Sequence, residues 1–202
     1  MRFLTVHQYK KIKMKNNSQF VSLIKMKKIV SSNRSAQVWI ETVIYTLIGL
    51  AIIGVLLSIV KPAIDEKKDQ ILIDKSLTMI ETIHSKVEEV IHYGTGNSRL
   101  VEIQLTKGRI EVKPADNSIE FYMDSTYMYS ELGQNVSVGK VVATTAKKGK
   151  VYEVKLILSY NDLVLTWNGK NATQVFQPSP GPYKITITNN GTTNGITQVN
   201  FS

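Results

Sequence analysis

The sequence predicts an α+β protein: a long N-terminal helix that crosses a membrane and continues as a stem, followed by an antiparallel β-sandwich head. Three observations carry this reading. Residues 42–60 hold no charged side chain over 19 positions, close to the roughly 20 residues that cross a hydrocarbon core. Residues 73–91 place apolar side chains at intervals of three and four, the period of an amphipathic helix. From Arg99 onward apolar and polar residues alternate, the period of half-buried strands.

The chain has 202 residues, room for about one ordinary domain plus an extension. Its formal charge of +9 is concentrated: residues 1–36 carry nine Lys or Arg and no Asp or Glu, and the remainder balances 16 against 16. A basic segment placed before an apolar run fixes topology and does not form a nucleic-acid face. It keeps the leader in the cytoplasm and sends everything after Val60 outside, as a single-pass protein. With no cysteine, thiolate metal sites, thiol nucleophiles and disulfides are excluded. A cleavable secretory signal has a shorter apolar core and a small-residue cleavage site after it; here the run is longer and Lys61-Pro62 follows.

In the stem, Ile73, Leu77, Ile80, Ile83, Val87, Val90 and Ile91 form the apolar stripe, interleaved with Lys67, Lys68, Asp74, Lys75, Glu81, Lys86, Glu88 and Glu89. Gly94 and Gly96, with His92 in the last turn, stop the helix. Run together, the membrane helix and stem give one rod from Gln37 to Tyr93, roughly 85 Å at 1.5 Å per residue. Pro62 removes a helical hydrogen bond and is expected to kink or locally unwind it.

In the head, Val101, Ile103 and Leu105 alternate with Glu102 and Gln104, and Ile119, Phe121 and Met123 with Glu120, Tyr122 and Asp124. Further strands are expected at 108–113, 140–145, 151–158, 162–167, 183–188 and 196–201, with turns at Lys107-Gly108, Asp116-Asn117, Lys148-Gly149 and Asn161-Asp162. Eight short strands suggest a sandwich. The run Pro178-Ser179-Pro180-Gly181-Pro182 cannot continue a ladder and is read as an exposed loop or crossover.

Chemistry-bearing motifs are scarce. His7 lies in the basic leader, and His84 and His92 stand eight apart on the stem without a carboxylate motif, so no metal site is expected. No phosphate loop, nucleophile elbow or calcium loop occurs, and neither enzymatic activity nor a cofactor is expected. The aromatic run from Tyr122 to Tyr129 reads as strand and core material, with carbohydrate contact as the rarer use. Sequons stand at Asn135, Asn171 and Asn190, candidates for N-glycosylation.

One carboxylate remains, in Ser35-Ala36-Gln37-Val38-Trp39-Ile40-Glu41-Thr42-Val43. A glutamate near a helix start is favoured by the helix dipole. The combination of an acid-free basic leader, a small residue, Gln37, Glu41 at the fifth position from Gln37 and an unbroken apolar helix resembles the class III signal peptide of type IV pilins, archaeal ones above all. The resemblance covers residues 26 to about 92. It implies a leader at 1–36, a membrane and stem helix at 37–93 and an extracellular β-sandwich head at 94–202. It further implies cleavage by a prepilin peptidase between Ala36 and Gln37, leaving the apolar helix on the mature chain. Glu41 would neutralise the new amino terminus of a neighbouring copy, and the helices would pack closely at Gly49, Ala51 and Gly54 into a surface filament. The partners implied are further copies of the chain, the peptidase, an assembly ATPase and a membrane platform protein. Met26 opens a compact leader, so translation is expected to start there, or at Met14 in place of Met1. The rival reading is a monomeric extracellular binding domain held by an uncleaved signal anchor.

Overall fold

The computed structural model describes residues 34–202, with side chains from Val38 onward. Residues 1–33, most of the leader expected at 1–36 and including the start positions Met1, Met14 and Met26 and His7, lie outside the described residues. Two compact units divide the chain, Met1–Ile59 and Val60–Ser202.

Helix α1 spans Arg34–His92 and is uninterrupted at Pro62, so the expected local unwinding is absent among the described residues. Its end is set where the sequence places it. Gly94 takes φ +86°, a conformation that costs an L side chain about 1 kcal/mol or more. The last carbonyls are capped by amide side chains: Asn97 Nδ2 donates to Tyr93 O at 2.7 Å, and Asn189 Nδ2 to Val90 O at 3.1 Å.

Within the unit Val60–Ser202, one face of α1 enters the core. Its buried positions are Asp69, Ile73, Ser76, Ile80, Ile83, Val87 and Val90, steps of four and three that alternate without a break and match the seam of a helix against a partner. Leu77 and Ile91, expected in the stripe, are only half-buried. Each fully buried Ile or Val here contributes about 1.5–3 kcal/mol of transfer free energy.

The head has ten strands: β1 (Ser98–Ile103), β2 (Arg109–Lys113), β3 (Ser118–Ser125), β4 (Asn135–Val138), β5 (Val141–Lys148), β6 (Val151–Ser159), β7 (Leu163–Trp167), β8 (Gln174–Phe176), β9 (Tyr183–Thr193) and β10 (Ile196–Phe201). They form two sheets, ordered β1-β9-β10-β7 and β4-β5-β6-β3-β2-β8. Eight of the ten fall where alternation predicts them. The two others, β4 and β8, are edge strands of four and three residues, too short to display a period. All pairings are antiparallel except β7 with β10. The inward side chains of both sheets, among them Val101, Ile187 and Phe201 in one and Ile119, Phe121 and Leu156 in the other, share one core with the stem stripe.

Strand β9 outruns its expected end by five residues because Asn190 is bulged: the register passes from Gln198 opposite Gly191 to Val199 opposite Asn189. A bulge admits one unpaired residue and lets the ladder continue. The strand then turns through Asn194 and Gly195, with φ of +53° and +82°, the two left-handed positions of a tight hairpin.

Candidate functional site

The first unit contributes an apolar helical surface. From Val38 to Val60 every large apolar side chain is exposed, from 37 % at Val43 to 69 % at Trp39. Such a surface is stable only in lipid or against other protein, because water charges about 25 cal/mol for each Å² of apolar area left uncovered. The helix is long and apolar enough to span a membrane. Its Ser and Thr hydroxyls are satisfied internally: Thr42 Oγ1 donates to Val38 O at 2.9 Å, Thr46 Oγ1 to Thr42 O at 2.8 Å and Ser58 Oγ to Val55 O at 2.7 Å. This removes the several kcal/mol that an unpaired polar group costs in hydrocarbon.

Glu41 is exposed on this surface, immediately before the uncharged run of 42–60, and takes no ion pair among the described residues. The Ala36-Gln37 junction, the expected cleavage site, falls inside the first turn of α1. Cβ atoms built at Gly49 and Gly54 meet nothing within 4 Å, so nothing among the described residues requires glycine at either position. At 100° per residue, Ala51 and Gly54 share a face with Ser58, while Gly49 lies nearly opposite Ala51. The three small residues therefore offer close approach on two sides of the helix and not on one.

The head unit holds three polar constellations that alternation alone does not reveal. Asp69 stands in the buried stripe of the stem, where it accepts from Lys107 Nζ at 2.6 Å, Thr126 N at 2.7 Å and Thr126 Oγ1 at 3.0 Å. It fastens the loops after β1 and β3 to the helix. A polar residue falling in register with Ile73, Ser76 and Ile80 is the signal that could have found it.

On the outer face of the larger sheet, Tyr122 lies beneath the cations of Arg109, Lys113 and Lys155, 4.3, 5.4 and 5.3 Å from its ring centre. Glu120 bonds Lys113 at 2.6 Å, Lys155 at 3.1 Å and the Tyr122 hydroxyl, and Glu111 bonds Arg109 at 2.6 Å and Lys113 at 3.3 Å. Glu111 and Glu120 are directly opposite in the β2–β3 register. Like charges in that position repel; Lys113, placed between them, turns the pair attractive. Burial raises the Glu120 pKa, but hydrogen bonds from Lys113, Tyr122 and Lys155 outweigh it and hold the carboxyl below the ordinary range.

The third constellation joins stem and head: His84 Nδ1 lies 3.3 Å from the Tyr160 hydroxyl and 3.9 Å from Glu88. Burial pushes the Tyr160 hydroxyl up, aided by the charges of Glu88 and Asp162. Among the described residues no group of three His, Asp or Glu is arranged to hold a metal ion. His84 serves packing, and His92 is exposed against Tyr93.

Asn135 opens edge strand β4, Asn171 sits in the loop between β7 and β8, and Asn190 is the bulged residue of β9; all three are exposed. In the aromatic run, Tyr127 and Tyr129 pack half-buried against the core, so most of that run is structural. No protein-family model, curated protein or solved structure matches the chain.

Proposed function

We propose that this chain is a structural subunit of a surface filament of the archaeal type IV pilin kind, assembled through its apolar helix. The observation that carries the reading is the apolar helix exposed on every side, with one carboxylate, Glu41, at its start, directly after a segment with nine cations and no acid. In this reading the leader faces the cytoplasm and the head faces outward. A prepilin peptidase removes residues 1–36, and the new amino group of one copy pairs with Glu41 of the next. An assembly ATPase and a membrane platform protein supply the work of extraction. Helix association in lipid gains little hydrophobic energy, so packing and the paired charge decide whether copies assemble. The β head then forms the filament surface and carries no catalytic role.

The test is the mature N-terminus, read by mass spectrometry after co-expression with an archaeal prepilin peptidase, together with negative-stain imaging of wild type and Glu41→Ala. The reading expects a chain that begins at Gln37, filaments from wild type, and membrane-inserted but unassembled Glu41→Ala. A leader retained in the presence of active peptidase, with no filaments, would leave the chain as a monomeric anchored binding domain.

A further inference from the structure

We propose that the tip of the β5–β6 hairpin docks on an anionic lipid surface and holds the head down against the membrane. The inference goes beyond the filament reading and requires only that the apolar run lie in a bilayer.

The tip reads Lys147-Lys148-Gly149-Lys150, all exposed, with Gly149 at φ +63° closing the turn. Lys148 is balanced by Asp124 at 2.9 Å and Glu153 at 3.4 Å. Lys147 and Lys150 enter no ion pair among the described residues.

Two contacts fix where the tip lies within the unit Val60–Ser202. In the β3–β6 register Tyr152 stands opposite Ser125, and the next residue, Thr126, donates its N–H to Asp69 on α1 at 2.7 Å. At the other end Ser118 stands opposite Ser159, and the adjoining Tyr160 hydroxyl lies 3.3 Å from His84. From Asp69 to His84 the helix rises about 22 Å at 1.5 Å per residue, and from Ser125 to Ser118 a strand covers about 24 Å. The lengths agree, so β3 and β6 run alongside the stem. The hairpin tip therefore projects past the Asp69 end: Asp69 stands about 12 Å of helix from Lys61, and Gly149 lies three residues beyond Tyr152, up to about 10 Å of strand nearer the end of the uncharged run.

The other charges at that end are largely spent. Asp69 is paired with Lys107, Asp124 and Glu153 share Lys148, and Asp65 and Glu66 stand on the stem beside Lys61, Lys67 and Lys68. Lys147, Lys148 and Lys150 against Asp124 and Glu153 leave the tip one positive charge, and Lys61, Lys67 and Lys68 against Asp65 and Glu66 leave the stem another, so tip and stem both bring an excess of cations to this end. Lys140 makes the contrast: it is exposed in the β4–β5 turn, beside Gly139, whose built Cβ lies 3.5 Å from Glu81, far up the stem. An anionic leaflet attracts cations within about one Debye length, roughly 8–10 Å, and favours each such lysine on the order of fivefold.

The experiment uses the full chain reconstituted in vesicles of phosphatidylcholine, alone or with about one-third phosphatidylglycerol. The rates of reductive methylation of Lys147, Lys150 and Lys140 by formaldehyde with dimethylamine-borane as hydride donor, both neutral reagents, are read by peptide mass spectrometry. In anionic vesicles at low salt Lys147 and Lys150 slow by about fivefold, high salt restores them, and Lys140 is unchanged. A Lys147→Gln/Lys150→Gln chain is expected to lose the protection from hydrogen exchange that anionic vesicles give residues 146–152 in wild type. Rates at the tip that do not respond to phosphatidylglycerol, or that slow in step with Lys140, overturn the proposal. No peptidase is present, so a failure of leader processing or of filament formation leaves this result standing; a chain that does not float with the vesicles overturns both readings.

Discussion

Replacing Asp69 with alanine tests how the head is fastened to its stem. Asp69 is 5 % exposed and accepts three hydrogen bonds, from Lys107 Nζ, Thr126 N and Thr126 Oγ1. Removal leaves a backbone N–H and a hydroxyl without an acceptor in a place where water enters poorly, at about 1–3 kcal/mol for an unsatisfied buried group. Lys107 adds less, since its side chain is 41 % exposed and rehydrates when freed. Breaking a fully buried ion pair costs about 3–5 kcal/mol; the half-open geometry here places Asp69→Ala at the lower end, about 3 kcal/mol. With a urea slope of about 2 kcal/mol per molar, the midpoint of head unfolding falls by about 1.5 M. Asp69→Asn keeps one acceptor for Thr126 and loses the charge, so it falls between the two. The assay is urea unfolding of the full chain in detergent micelles, followed by Trp167 fluorescence in a Trp39→Phe background, with exposed Asp74→Ala as the control on the same helix. If Asp69→Ala shifts the midpoint no further than Asp74→Ala does, the stripe is held by its apolar members alone and the fastening role is wrong.

Three other outcomes follow from the head. Gly108 has φ +84°, and a Cβ there would overlap the Tyr122 carbonyl oxygen and come within 2.9 Å of the Phe121 ring, so Gly108→Ala is expected to cost more than about 2 kcal/mol, read as a lowered thermal midpoint. Asn189 is buried and joins Val90 O to the N–H of Gly191; Asn189→Ala strands both groups, costs about 2 kcal/mol, and speeds amide exchange around the bulge at Asn190. Folding holds the Glu120 and Glu111 carboxyls below their ordinary range: burial opposes this, and the bonds from Lys113, Tyr122, Lys155 and Arg109 outweigh it. A depressed folded-state pKa gives stability that is complete above the unfolded value, about 4.3, and is lost as pH falls through the folded value. Head stability is therefore expected to drop below about pH 4, and Glu120→Gln to flatten part of that drop; parallel acid profiles for the two chains would refute the assignment.

How much of this was legible in the sequence depends on whether a residue's role is written in a period. The uncharged run of 42–60 and the eight strands that alternate over five residues or more announce themselves, because each residue repeats the same environment as its neighbour two or three to four places away. Strands β4 and β8 are too brief to repeat anything, and the parallel pairing of β7 with β10 depends on a crossover through the other sheet, which leaves no local trace. The polar sites were missed for a different reason. Asp69 and Asn189 are polar side chains at positions whose neighbours in the period are apolar, and a search for apolar stripes passes over them as interruptions. The stem makes the point concrete: the apolar residues alone suggested that Leu77 and Ile91 belong to the buried face, whereas admitting Asp69 and Ser76 gives 69, 73, 76, 80, 83, 87 and 90, an unbroken four–three alternation that excludes them. A polar residue that completes a period is worth reading as buried and bonded, since the face it occupies gives its hydrogen-bonding groups little access to water. Glu41 stands under the opposite condition. It interrupts an apolar surface that no other described residue covers, and none of the described residues gives it the kind of partner that Asp69 finds in Lys107 and Thr126.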